Sequence, residues 1–291
     1  MAEGWALVRL AAGTELEAGL REVRKWPGVV HAEPNLRVGL AAGDPLVPDD
    51  FEFPRQWGLR NTGQTGGRAG ADIRAPEAWR WSTGDRGIVV AIVDTGVDFF
   101  HPDLEPNIWE NPGEIAGNGV DDDGNGYIDD VRGFDFVSDD GDPMDDNLHG
   151  THVAGILGAV GNDELGVAGV AWSVRMMALK SFDEAGGGTL DDTIEAVDYA
   201  VANGARVVNA SWGLTTRSRA LDEVVARAVR GGVVFVAAAG NNGSTVRFFP
   251  AAAPESIAVG ATDAKEFSRT VECAFTHPDT DSHFSKLMLD S

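Results

Sequence analysis

Ile88-Val-Val-Ala-Ile-Val93, followed at once by Asp94-Thr95-Gly96-Val97-Asp98, decides the fold. An unbroken aliphatic run with no polar alternation describes a strand buried on both faces. Gly96 permits a sharp exit from it. Similar short apolar runs recur outward: Val174 to Leu179, Val207-Val208, Val233 to Ala237 and Ile257-Ala-Val259. Between them, Thr189 to Asn203 and Ser218 to Arg230 carry helical spacing. Thr189 with Asp192 reads as a variant capping box, and Gly204 stands where a C′ glycine belongs. Strands alternating with helices predict an α/β fold, a parallel doubly wound sheet with helices on both faces. In such sheets, sites gather at the carboxyl ends of the strands.

Composition narrows the classes. The chain has 291 residues, 43% hydrophobic and 24% charged, which is ordinary globular usage. Its formal charge of −23 repels phosphate backbones, so nucleic acid is excluded as a partner. No apolar stretch approaches a membrane span. A single cysteine, Cys273, rules out an internal disulfide framework. The N-terminus, Met1-Ala-Glu-Gly-Trp5, has no basic region ahead of an apolar one, hence no secretory signal. That fits either a cytoplasmic protein or a start placed too far downstream.

Four segments differ in character. Residues 1–42 begin with an apolar strand-like run (Trp5 to Leu10), continue with an amphipathic stretch from Glu15 to Trp26, and reach a second strand at Val29-Val-His-Ala-Glu33. This segment is too small for a core of its own and is expected to dock on a larger body. Residues 43–55, rich in proline and aspartate, read as a linker. The body spans 56–264, and residues 265–291 show no periodicity.

Three motifs carry chemistry. Asp94 ends the first strand; alone, it is as well explained as a turn aspartate. His149-Gly-Thr-His-Val-Ala-Gly155 opens an apolar helix, where the helix dipole disfavours a cationic imidazole. A carboxylate such as Asp94 would offset that and fix the ring's tautomer; a structural histidine is the simpler reading of His149 alone. His149 and His152 lack the intervening glutamate and further ligand of a zinc helix. Asn241, in Ala237-Ala-Ala-Gly-Asn241, follows another strand and could donate to an oxyanion or merely occupy a turn.

In this order, these motifs resemble the subtilase (subtilisin-like) serine protease family over about 52–264. The resemblance implies a subtilisin-like sheet and an endopeptidase with an Asp-His-Ser mechanism. Asp94 would orient His149, His149 would act as base and acid, and Asn241 would donate to the oxyanion. Ser211-Trp212-Gly213 matches the segment whose backbone pairs with an extended substrate. Ala238, Ala239 and Gly240 would wall the primary specificity pocket. Residues 1–42 resemble the end of the family's propeptide, which packs on the catalytic body. The resemblance further implies protein or peptide substrates, a monomer and an extracellular location.

Calcium is the expected cofactor. Eleven aspartates lie between Asp121 and Asp146, opposed only by Arg132. Asp121, Asp123, Asn125, Tyr127 and Asp129 match positions of a calcium loop, although Arg132 replaces the closing glutamate. A second site follows from the resemblance alone: Asp103, with Val160, Asn162 and Val167 of one loop, and Asp50.

The family's serine stands in a Gly-Thr-Ser-Met-Ala-x-Pro segment on a central buried helix, and residues 1–291 contain no such segment. The C-terminal part of the fold is therefore expected to be missing, exposing apolar faces of the Ile88–Val93 and Val233–Ala237 strands. A frameshifted or truncated reading explains this; the alternative is a non-catalytic, calcium-dependent peptide-binding pseudoprotease.

Overall fold

A computed structural model describes residues 8, 10, 14–32, 44–241 and 246–265. The aliphatic run forms the inner part of strand β1 (Gly84–Asp94), with Ala91, Ile92 and Val93 wholly buried. Around it lie β2 (Gly133–Asp135), β3 (Ser173–Lys180), β4 (Val207–Ala210), β5 (Val234–Ala238) and β6 (Ile257–Val259). They form one sheet in the order β2-β3-β1-β4-β5-β6, and every pairing is parallel. Helices α1 (Leu16–Val23), α2 (Ala75–Trp79), α3 (His149–Gly158), α4 (Leu190–Ala202) and α5 (Arg219–Arg230), with short 3-10 turns at Phe53–Arg55 and Glu105–Asn107, complete the regular structure of the described residues.

Period-two alternation sorts the strands between two helical layers. Ala91, Val93, Met177, Leu179, Val208 and Phe235 face α4 and α5, meeting Ala196, Ala200, Leu221 and Val225 in one apolar cluster. Val90, Ile92, Met176 and Ala178 face α3 and meet Ala154. The expected arrangement of helices on both faces is thus present. α4 and α5 begin where the sequence suggested, Thr189 accepting from Asp192 N and Ser218 from Leu221 N. Gly204, at φ +81°, ends α4.

Several expectations change. Strand β2 has no apolar run of its own; its three residues are buried because they pair with β3. Most of the segment read as a linker, residues 45–55, clusters with the residues that follow it. It belongs to the larger of two compact units, 45–291, where Phe53 is buried against Trp79 with ring centroids 5.8 Å apart. The smaller unit, residues 1–44, contains α1, and Arg24 donates to Ala32 O at 2.9 Å. Residues 29–32 form no strand there; the strand read at Trp5–Leu10 falls almost wholly, and Glu33 and residues 266–291 entirely, outside the described residues.

The expected bare faces are found in part on both strands named, with Ile88 at the start of the β1 run 38% exposed. Val90 and Ile92 are covered by α3, so β1 is not exposed there. On β5 and β6, Val234 and Ile257 remain 44% and 37% exposed. Adjacent exposed aliphatics on a sheet invite apolar ligands. The protein is therefore expected to enhance the fluorescence of an anilinonaphthalene dye, and Val234→Lys combined with Ile257→Lys to reduce that enhancement; equal signals would count against an open face.

Candidate active site

Parallel register brings the carboxyl ends of four strands to one edge. Asp94 is level with Lys180 of β3, and Val93 with Ala210 of β4. Ala210 is in turn level with Ala237 of β5. One step beyond these pairs stand Ser181, Ser211 and Ala238, and the chain segments singled out from sequence begin there.

His149 is the first residue of α3, and its Nδ1 lies 2.7 Å from Asp94 Oδ1. The same oxygen accepts Thr95 N at 2.8 Å. Asp94 is 2% exposed, whereas the imidazole is 49% exposed. One partner is therefore fixed and shielded while the other faces solvent. The hydrogen bond from His149 Nδ1 to Asp94 pushes the His149 pKa above 6.5, outweighing partial burial, and the charges of Asp94 and Asp145 add to it.

Close backbone approach makes this contact feasible. A Cβ at Gly150 would collide with Gly96 O and sit 3.1 Å from Asp94 Cβ. Gly96 itself, at φ +107°, leaves a Cβ no space beside Pro143 O and Asp145 Cα, at 2.7 and 2.9 Å. Leu148, at φ +88°, takes the αL turn into α3 although it is not a glycine.

A polar lattice holds the two elements together. Asp145 accepts from the backbone of Asn147, Leu148 and Thr151 and from the Thr151 and Thr95 hydroxyls. Burial favours the neutral Asp145 carboxyl, but the bonds from Thr151, Asn147 and Thr95 hold its pKa below the usual value. Thr95 Oγ1 also accepts Gly150 N at 3.0 Å. Lys180, only 3% exposed, donates to Thr95 O at 3.0 Å, Phe182 O at 2.9 Å and Asp146 Oδ1 at 2.7 Å. Its ammonium is fully used, as a buried cation must be. The sequence reading missed Lys180, Asp145 and Thr95.

The remaining predicted residues occupy the same edge. Asn241 lies beyond β5 and is exposed, and its side chain makes no hydrogen bond among the described residues. Ser211 donates to Asn209 Oδ1 at 2.8 Å, and the Trp212 ring lies 5.7 Å from that of Phe182. Leu214 and Phe249 exchange two backbone bonds of 2.8 Å, tethering the segment beyond β4 that carries Gly213. Ala239 N donates to Val259 O at 2.8 Å, tethering the segment from Ala238 to Gly240.

In the acidic loop, several carboxylates accept backbone N–H groups of the loop itself. Asp121 turns inward, accepting Gly124 N, Asn125 N and Gly126 N at 2.7 to 3.1 Å, and these bonds lower its pKa. Asp129 accepts Asn118 N and Gly119 N at 3.0 and 2.9 Å. Asn125 Nδ2 donates to Asp130 Oδ2 at 2.8 Å, and Tyr127 donates to Glu195 at 2.9 Å. The carboxylates that do converge are Glu114, Asp123 and Asp130, with one oxygen of each within 4.8 Å of the others. Only Asp123 was expected among them. In the second region, Asp50 Oδ2 accepts Asn162 N at 2.6 Å, and Asp103 Oδ2 accepts Val167 N at 2.9 Å. Val160 N donates to Asp103 O at 2.9 Å, so this loop joins both carboxylates.

Comparison with known proteins agrees with this geometry. The model of the Subtilase family, Peptidase_S8, matches residues 85–282. Over 249 residues the chain is 37% identical to the thermophilic serine proteinase of Bacillus sp. (strain AK1), covering 85% of this chain and 53% of that protein. It is 38% identical to thermitase of Thermoactinomyces vulgaris over 67% of this chain and 61% of that protein. The minor extracellular protease Epr of Bacillus subtilis (strain 168) is 32% identical over 90% of this chain and 36% of its own length. The matches thus span between 36% and 61% of the length of these three curated relatives.

Asp94→Asn is expected to return the His149 pKa toward 6.5, measurable by NMR titration of the imidazole. The sign for stability follows: a raised histidine pKa stabilises fully below 6.5 and ceases to do so as pH rises through the folded value. The Asp94 contribution to stability through this pair should therefore shrink on passing from acid into the neutral range.

Proposed function

Because the chain belongs to the subtilase family, we propose that it carries the base, its orienting carboxylate and the oxyanion donor of a serine endopeptidase acting on proteins or peptides. The observation that carries this reading is the 2.7 Å Asp94–His149 contact at the carboxyl edge of a parallel sheet. With Nδ1 held by Asp94, Nε2 is the nitrogen left to work. It takes the proton of a serine hydroxyl as the oxygen attacks the carbonyl, then returns it to the leaving amine. Only neutral His149 can accept that proton, so turnover rises with pH through a value above 6.5. Asn241 donates to the carbonyl oxygen as it becomes anionic. Ser211, Trp212 and Gly213 line one side of an extended peptide, and Ala238, Ala239 and Gly240 the other.

Residues 1–291 contain no Gly-Thr-Ser-Met-Ala segment. That observation favours a second reading, peptide binding without hydrolysis by these residues alone. The two separate cleanly. The 291-residue chain is expected not to cleave peptides; hydrolysis blocked by a serine-directed fluorophosphonate would overturn that. In a protein that includes a serine segment, His149→Ala should lower kcat by about 10⁴–10⁶ and Asn241→Leu by about 10²–10³, the latter following the subtilisin example for this donor. Full rate in the Asn241 variant would refute the oxyanion role.

Calcium is proposed at two places. Asp50 and Asp103 are each 2% exposed, and each has one buried oxygen with no hydrogen-bond partner among the described residues. Burial pushes both carboxyl pKa values up, and the charge of Asp50 raises Asp103 further. A divalent cation with oxygen ligands meets that demand, and Asp50 and Asp103, with Val160, Asn162 and Val167 on the intervening loop, would hold it. At the acidic loop, Glu114 Oε2 is likewise buried without a partner, so Glu114, Asp123 and Asp130 would hold the other ion. Bound calcium would neutralise carboxylates that otherwise repel one another. A chelator is expected to lower the melting temperature, since a ligand at a hundredfold excess over its Kd adds about 2.7 kcal/mol. Asp50→Asn and Glu114→Gln should each remove part of the chelator's effect; a melting temperature indifferent to chelator would refute both sites.

Residues 1–42 are proposed as a propeptide-like segment that docks on the catalytic unit, and the protein as an extracellular monomer. Support for the location is the relative named as a minor extracellular protease. No helix among the described residues is long and apolar enough to cross a membrane.

A further inference from the structure

Two glycines on the facing walls of the proposed cleft border one aromatic ring. A Cβ at Gly213 would overlap the Phe248 ring, lying 2.7 Å from Cδ1. A Cβ at Gly240 would lie 3.4 Å from Cδ1 and Cγ of the same ring. Phe248 is therefore lodged between the segment that continues β4 and the segment that continues β5. Its backbone is anchored on the C-terminal side: Phe249 bridges Leu214 in both directions, and Ala252 N donates to Phe248 O at 2.8 Å. The ring is half-buried, while Phe249 and Pro250 are buried. Both walls are tethered, so the gap cannot widen without breaking the Leu214–Phe249 or Ala239–Val259 bonds.

We propose that Phe248 fills the floor of this gap and restricts the side chain docked between Gly213 and Gly240 to a small one, of the Gly, Ala or Ser class. A benzyl or long aliphatic side chain would have to displace the ring, and forcing extra carbons into an occupied apolar site is disfavoured. The small side chain loses nothing, because the ring already covers the apolar floor. This inference rests on the peptide cleft assigned above and adds the chemical class of the residue it selects.

Binding tests it without requiring hydrolysis. Tetrapeptides with an N-terminal fluorophore, identical except for a C-terminal Ala or Phe, are titrated with the full chain and followed by anisotropy. The Ala peptide is expected to bind about tenfold more tightly, the scale of a modest overpacking cost. Phe248→Gly should reverse the order, and Phe248→Ala, a milder change, should narrow or reverse it if the glycine variant does not fold. Equal or tighter binding of the Phe peptide to the unaltered chain would overturn the inference while leaving the cleft in place. An Ala preference undiminished in a folded Phe248 variant would do the same. If no peptide binds to any of these proteins, the cleft itself is refuted, and the inference with it.

Discussion

Everything at the carboxyl edge depends on how closely the start of α3 approaches the end of β1. Gly150 sits against Gly96 O and Asp94 Cβ at a distance no side chain tolerates. That approach is what lets an imidazole on a helix meet a carboxylate on a strand 55 positions earlier. Thr95, Asp145 and Lys180 then hold the contact from three directions. Hydrogen bonds in so shielded a place are individually modest but expensive to leave unmade. A methyl group at position 150 would therefore separate the pair by steric force alone, with every polar group still present.

Charge is managed by two devices. At Asp121, Asp129 and Asp145, backbone N–H groups converge on the carboxylates and help carry their charge locally. At Asp50, Asp103 and Glu114 a buried oxygen finds no donor among the described residues. Backbone donors suffice where the loop can curl around one carboxylate. They do not suffice where carboxylates from separate segments meet, because each peptide unit offers only one proton. The first device builds loops, and the second leaves buried carboxylate oxygens without a donor among the described residues.

Much of the fold was legible because burial and periodicity coincide. β1, β3, β4, β5 and β6 read as apolar runs since the parallel sheet buries them, and α4 and α5 announced themselves through Thr189 and Ser218. β2 was not legible: Gly133, Phe134 and Asp135 are a strand only by virtue of pairing with β3, a long-range fact. In the site, Asp94 and His149 were named from their motifs and are in contact. Lys180 was hidden because a lysine ending an aliphatic strand looks like a solvent-facing terminus. At the 121–130 loop, spacing fixes which residues are present but not which way a carboxylate turns, and Asp121 accepts three backbone N–H groups of its own loop.

The strand order has a consequence in time as well as in space. Asp94, Lys180, Ser211 and Asn241 lie far apart along the chain, and only the pairings of β3, β1, β4 and β5 bring their strands side by side. Parallel pairings of that separation are slow to form, since each must close a long loop before gaining its contacts. A newly made chain therefore passes through its early collapsed states before these strand ends share one edge. Order of assembly by itself makes the carboxyl edge, with its Asp94–His149 contact, a late feature of the fold.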